Sequence, residues 1–190
     1  MSSLNVRSAS LVSCAAALGV AGSLHAGLLG STLTAQYYWG GGPINAPYAN
    51  GVVNGSVLGT LDEEGPVYTI AANDTQVIFD FSVLPVAASE WNLSGVSLDS
   101  DGLFIRNGTT VSFAFAPAIT GVTIDASSNM VGLDQSRIPF NAGALAVDWV
   151  GLGFDPNTRV VLNIFTGVPD ADLDGVLDQT DNCPTTPNPD

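Results

Sequence analysis

Short runs in which apolar and polar residues alternate occupy most of the chain between residues 32 and 167. The clearest run is Thr75–Val83, TQVIFDFSV, where every second residue from Val77 is apolar. A two-residue period places these side chains on one face of a β-strand. No segment shows a sustained helical period with helix caps. The pattern therefore predicts a body built from strands.

Further strands are predicted from the same alternation or from short β-rich runs bounded by turn residues. They are Leu33–Trp39, Val52–Leu61, Val67–Ala71, Thr110–Phe115, Ile119–Asp125, Ser136–Phe140, Ala144–Val150 and Arg159–Phe165. Leu93–Leu98 and Leu103–Arg106 are expected to form a hairpin, because Asp101-Gly102 between them favours a tight turn. About nine or ten such strands predict an all-β fold, an antiparallel β-sandwich of the jelly-roll type, with a barrel as the alternative.

An apolar leader precedes this body. Met1–Arg7 carries one positive charge, Ala9–Leu24 is apolar and rich in small residues, and Ala26-Gly27 suits cleavage. These are the parts of a secretory signal peptide, so we expect export. Cleavage after Ala21 and lipoprotein-type processing at Cys14 are the alternatives. A retained membrane anchor is disfavoured, because the apolar run is short and rich in Ala, Ser and Gly.

The expected domain organisation follows from these boundaries. Residues 1–26 are a signal peptide, 27–167 a β-sandwich domain, and 168–190 an acidic segment. We expect no transmembrane span in the mature chain and a secreted location, either extracellular or at the cell surface.

Charge and composition exclude several functions. The chain has 18 acidic residues against four arginines, and its net charge is −14. Such a charge repels phosphate backbones, so no nucleic-acid partner is expected. The only histidine, His25, lies in the leader and there is no lysine, which excludes serine–histidine, cysteine–histidine, Schiff-base and histidine–zinc chemistry in the mature chain. Paired carboxylates remain, but Glu63-Glu64 is typical of a solvated turn, and we expect no enzymatic activity.

The acidic segment carries the most specific motif. Its first twelve residues, DADLDGVLDQTD, place aspartates at loop positions 1, 3, 5, 9 and 12 and glycine at position 6. Alternate side chains of a curling loop can converge on one Ca²⁺, and position 7 offers a backbone carbonyl. The predicted calcium ligands are Asp170, Asp172, Asp174, Val176, Asp178 and Asp181. Aspartate at position 12, where such loops usually have glutamate, requires the loop to close more tightly.

Prolines on both sides of this loop exclude the two helices of an EF-hand, since Pro169 precedes it and Pro184 follows it. With its Asp-Asn-Cys-Pro step and Asn188-Pro189, the segment resembles a thrombospondin type 3 repeat. That resemblance implies tandem repeats wrapped around calcium, with cysteines paired between neighbours. Cys183 would then need a partner outside these residues, in cis or in trans. The alternative is a solvated acidic tail without metal.

Four motifs follow one another in the second half of the body. They are Gly132–Arg137 (GLDQSR), Asp148-Trp149, Gly151–Phe154 (GLGF) and Val160-Val161. With these motifs the body resembles secreted bacterial proteins that often end in a PEP-CTERM sorting signal. The resemblance implies export and surface or matrix association, but no particular reaction. The sorting signal is expected beyond residue 190, unless the protein has another fate. Asp134 and Arg137 are expected to form a local ion pair, and Asp148 to face outward.

The expected function is a secreted calcium-binding surface or matrix protein, in which calcium stiffens a spacer or adhesion stalk. Calcium is one expected partner, and an extracellular polysaccharide or another surface protein is a second. The alternative is a carbohydrate-binding module whose aromatic side chains stack on sugar rings, although such residues more often lie in the core. The candidates are Tyr37, Tyr38, Trp39, Tyr48 and Trp91. A glycosidase that uses Glu90 is a third hypothesis.

Overall fold

The computed structural model describes residues 27–39, 42–43, 46–63, 65–85, 89–91, 98–99 and 103–167. All of them belong to one compact unit. The predictions on the leader and on residues 168–190 lie outside the described residues. Within the described ranges, no helix is long and apolar enough to cross a membrane.

The described residues confirm the all-β prediction, with fourteen strands and a single turn of 3-10 helix. The strands are β1 Thr32–Trp39, β2 Gly42–Pro43, β3 Ala49–Val52, β4 Val57–Asp62, β5 Pro66–Ala72, β6 Gln76–Asp80, β7 Ser89–Glu90, β8 Leu98–Asp99, β9 Phe104–Ile105, β10 Gly108–Ala114, β11 Ala118–Ile124, β12 Ala144–Asp148, β13 Gly153–Phe154 and β14 Arg159–Gly167. The 3-10 turn is Gln135–Arg137.

Ten strands form one large sheet in the order β11-β14-β6-β5-β4-β3-β1-β10-β12, with β2 paired to β1. Every pairing in this sheet is antiparallel. Two short antiparallel pairs, β13–β7 and β8–β9, lie outside it. The β8–β9 pair places Leu98 opposite Ile105, as the predicted hairpin requires, and the rest of its first strand and its turn lie outside the described residues.

The large sheet is nearly closed, because its two edges meet. The Ile119 amide in β11 donates to the Ala142 carbonyl just before β12, at 2.8 Å. The Gln135 side chain also donates to the Val122 carbonyl of β11, at 3.0 Å. These bonds occupy backbone groups that an open sheet edge would offer to another chain.

The sheet also folds over so that its halves face each other, as in a sandwich. The Tyr68 hydroxyl in β5 hydrogen-bonds to the Thr109 hydroxyl in β10, although three strands separate these residues in the sheet. The halves join where β3 and β4 pair at one position, Ala49 opposite Gly59. The predicted antiparallel sandwich is therefore present. Because the two edges of its sheet also meet, the fold comes close to the barrel that was the alternative.

Most residues that the alternation placed inward are buried. They are Val77, Phe79, Phe81, Val111, Phe113, Val122, Leu145, Val147, Trp149, Val160, Leu162 and Ile164. Strand alternation therefore predicts much of the core, although β12 is buried on both faces.

Phe115 is the clearest exception, because its side chain is 95% exposed. Strand β10 ends at Ala114, and Phe115 takes a left-handed φ of 64° in the turn towards β11. Such a φ is uncommon for a bulky residue and ends the alternation one residue early.

Two predicted strands also differ. Ser136–Phe140 is not a strand, because Asp134 accepts a hydrogen bond from the Ser136 amide and starts the 3-10 turn. Val52–Leu61 is divided into β3 and β4, because the Asn54 side chain accepts a bond from the Ser56 amide and makes a turn.

Candidate functional site

The predicted calcium ligands all lie outside the described residues. They are Asp170, Asp172, Asp174, Val176, Asp178 and Asp181. Within the described part of the chain, no group of three or more His, Cys, Asp or Glu side chains could hold a metal ion. The calcium prediction therefore depends on the spacing of the residues in the sequence.

Several carboxylates of the body stabilise its own turns. Asp125 accepts hydrogen bonds from the Ser127 amide at 2.9 Å and hydroxyl at 2.7 Å. Asp134 accepts the same pair of bonds from Ser136. These bonds hold the pKa of both carboxyl groups below its usual value, because they favour the ionised form. Acids in this state are poor candidates for a general acid.

The GLDQSR and Asp-Trp motifs meet at the end of β12. One Arg137 nitrogen donates to the backbone carbonyls of Asp148, at 3.2 Å, and Val150, at 2.7 Å. This arginine therefore fixes the turn after β12. The predicted ion pair between Arg137 and Asp134 is only a weak electrostatic attraction. The charge of Arg137 lowers the pKa of Asp134 less than the hydrogen bonds from Ser136 do.

Asp148 is buried, so the prediction of a solvent-facing side chain is wrong. Its carboxylate accepts from the Arg106 Nε at 3.3 Å and from the Val150 amide at 3.1 Å. Arg106 covers the carboxylate from the solvent side, with 47% of its own side chain exposed. Both arginines thus stabilise the turn after β12, and the Asp148-Trp149 motif has a structural role.

The aromatic residues considered for sugar stacking lie mostly in the core. Tyr37, Tyr38 and Trp91 are only 5%, 7% and 7% exposed. The Trp91 and Trp149 rings stack with centroids 6.3 Å apart. These three candidates cannot present a face to a sugar in this fold. Trp39 is 48% exposed, and Tyr48 is partly buried.

The buried tyrosines form a polar network inside this aromatic cluster. The Tyr37 hydroxyl donates to the Asn107 side chain at 2.7 Å, and the hydroxyls of Tyr48 and Tyr68 lie 3.2 Å apart. Burial raises the pKa of Tyr68 to about 12, and it raises the pKa of Tyr37 as well. The phenols therefore remain protonated and neutral, so the network satisfies hydroxyl groups in the core.

A groove of about 360 Å³ lies beside β13, open to solvent. Its lining includes Ser89, Asn129, Val131, Phe154, Asp155 and Asn157. Sequence analysis did not identify it, because its residues come from three separated segments. Its Asn, Asp and Gly residues also occur in ordinary turns, so they do not distinguish a groove from a turn in the sequence.

Comparison of the chain with protein-family profiles, with curated proteins and with solved structures finds no match.

Proposed function

We propose that this is an exported, non-catalytic calcium-binding protein of a cell surface or matrix, in which a β-sandwich precedes a calcium-stiffened spacer. One observation carries the proposal: residues 170–181 place five aspartates and one glycine at the positions that a calcium loop requires. The Val176 carbonyl completes a set of hard oxygen ligands. No other segment of the chain has this spacing.

Electrostatics couples metal binding to closure of this loop. Five carboxylates within twelve residues repel one another, and this repulsion opposes their convergence. A divalent cation removes the repulsion and contributes coordination bonds, so binding and ordering are linked. Calcium would then stiffen the segment, as a spacer or stalk requires.

The structure of the β-sandwich is consistent with a domain that carries the calcium-binding segment. Its sheet edges meet, which limits strand pairing with other chains. The resemblance to secreted bacterial proteins with PEP-CTERM sorting signals supports export and surface association.

Neither alternative gains support from the site geometry. Three of the five aromatic residues considered for sugar stacking are buried in the core, which leaves only Trp39 and Tyr48. Glu90, the candidate for a glycosidase, is an exposed residue of the two-residue strand β7. We therefore propose neither aromatic stacking nor hydrolysis.

Limited chymotrypsin digestion of the exported chain tests the proposal. We expect calcium at ten times its Kd to slow cleavage after Leu173 and Leu177 about tenfold, because only the metal-free loop is open. Cleavage after Phe115, which is 95% exposed in the body, provides an internal control and should not change. Equal cleavage of residues 168–190 with calcium and with chelator would show that calcium does not order this segment.

A further inference from the structure

The groove beside β13 is lined by residues that the fold holds in place. Its floor is the Phe154 ring, which is 8% exposed and packs on Trp91 at 4.8 Å and Phe81 at 5.3 Å between ring centroids. One wall is the turn at residues 155–158, in which Asp155 accepts from the Asn157 amide at 2.8 Å. A site that is already shaped loses little conformational entropy when it binds a ligand.

Asn129, which also lines the groove, is held by two hydrogen bonds. Its side chain donates to the Asn157 carbonyl at 2.9 Å and accepts from the Arg159 amide at 2.7 Å. These bonds connect the segment after β11 with the segment before β14. The groove volume of about 360 Å³ lies within the usual range for small-ligand sites.

Other groups in the groove are not used by the fold. The Asn157 side chain and the Ser89 hydroxyl are exposed and make no hydrogen bond within the described residues. Val131, at the rim, is 86% exposed. The hydroxyl groups of a polyhydroxylated ring can form hydrogen bonds with the Asn157 amide, which both donates and accepts, and with the Ser89 hydroxyl. The apolar part of such a ring can contact the Val131 side chain.

Charge narrows the ligand class further. Asp155 is the charged residue of the lining, and residues 27–167 contain twelve acids against three arginines. An anionic ligand would be repelled. A single carboxylate, already bonded to its own turn, is too little to hold a divalent cation.

We propose that this groove binds an uncharged glycan, with Asn157 and Ser89 bonding to its hydroxyl groups and Val131 contacting its apolar ring face. The groove shares no residue with the calcium loop and uses none of the five candidate aromatic residues. It gives the exported domain a second means of attachment, to a neutral polysaccharide.

Calorimetric titration of the full chain with cellohexaose, maltohexaose and laminarihexaose tests this inference. We expect at least one of these neutral hexamers to bind, with the same Kd in the presence of calcium and in the presence of a chelator. We expect the negatively charged oligogalacturonate hexamer not to bind. Asn157→Ala and Val131→Asp should each weaken binding about tenfold. Asn50→Ala in β3 and Val57→Asp in β4 change exposed residues outside the groove and should leave the Kd unchanged.

Three results would overturn the inference. The first is no binding of any of the three neutral hexamers. The second is binding that Asn157→Ala and Val131→Asp do not weaken relative to their controls. The third is tighter binding of the charged hexamer. None of these results bears on the calcium loop, whose tests use a different ligand and different variants.

Discussion

Replacement of Trp149 by alanine is expected to lower the free energy of unfolding by about 3–5 kcal/mol. Trp149 is the largest of the fully buried side chains among the described residues. Its ring contacts Phe79 at 5.3 Å, Tyr68 at 6.0 Å and Phe81 at 6.2 Å between centroids. The cavity would lie between the two halves of the sheet, where rigid aromatic neighbours cannot collapse to fill it.

Urea unfolding followed by circular dichroism measures this loss without depending on tryptophan fluorescence. Trp39→Ala is the matched control, because Trp39 is 48% exposed at the end of β1. Its loss should be below about 1 kcal/mol, as for most surface substitutions. An equal loss in the two variants would contradict the core described above.

Gly59→Ala is expected to lower the free energy of unfolding by about 1–3 kcal/mol through overpacking. A Cβ atom at this position would lie 2.2 Å from the Tyr48 carbonyl oxygen and 2.7 Å from the Ala49 Cα. Both are backbone atoms, one in the residue before β3 and one in its first residue, so neither can move alone. The substitution would force apart the single pairing that joins β3 to β4.

Gly51→Ala provides the control in the neighbouring strand. Its Cβ atom would meet only the end of the Leu58 side chain, at 3.2 Å, which a small rotation can relieve. Thermal unfolding of the two variants separates the effects. If Gly59→Ala unfolds at the same temperature as Gly51→Ala, the close approach at the bend is not essential to the fold.

The strands could be predicted because their signal is local. Leu145 and Val147 face the core for the same reason as Val77 and Phe79, since every second side chain of a strand points the same way. The pattern failed at Phe115, where the chain turns before the alternation ends.

The folded-over sheet could not be predicted in the same way. The contact between Tyr68 and Thr109 joins residues far apart in the chain, and no local period encodes it. The burial of Tyr37 and Trp91 depends on that closure, so the local pattern could not show that these two candidates for sugar stacking lie in the core. The groove could not be predicted either, because pairings between distant segments bring its residues together: β7 pairs with β13, and Asn129 bonds to Asn157 and Arg159.

The calcium motif is readable because its ligands follow one another within twelve residues. Loop binding needs the right residue at each position and no long-range contact. For the same reason, the β-sandwich neither strengthens nor weakens the prediction.

Calcium titration by calorimetry, comparing the unchanged chain with an Asp172→Ala/Asp174→Ala variant, tests the central claim most directly. The proposal predicts saturable binding of one ion in the unchanged chain and no binding in the variant, because loop positions 3 and 5 lose their carboxylates. Glu90→Gln removes an exposed acid of the body and should bind calcium normally. Absence of heat in the unchanged chain, or equal heat in the double variant, would contradict a calcium site at residues 170–181.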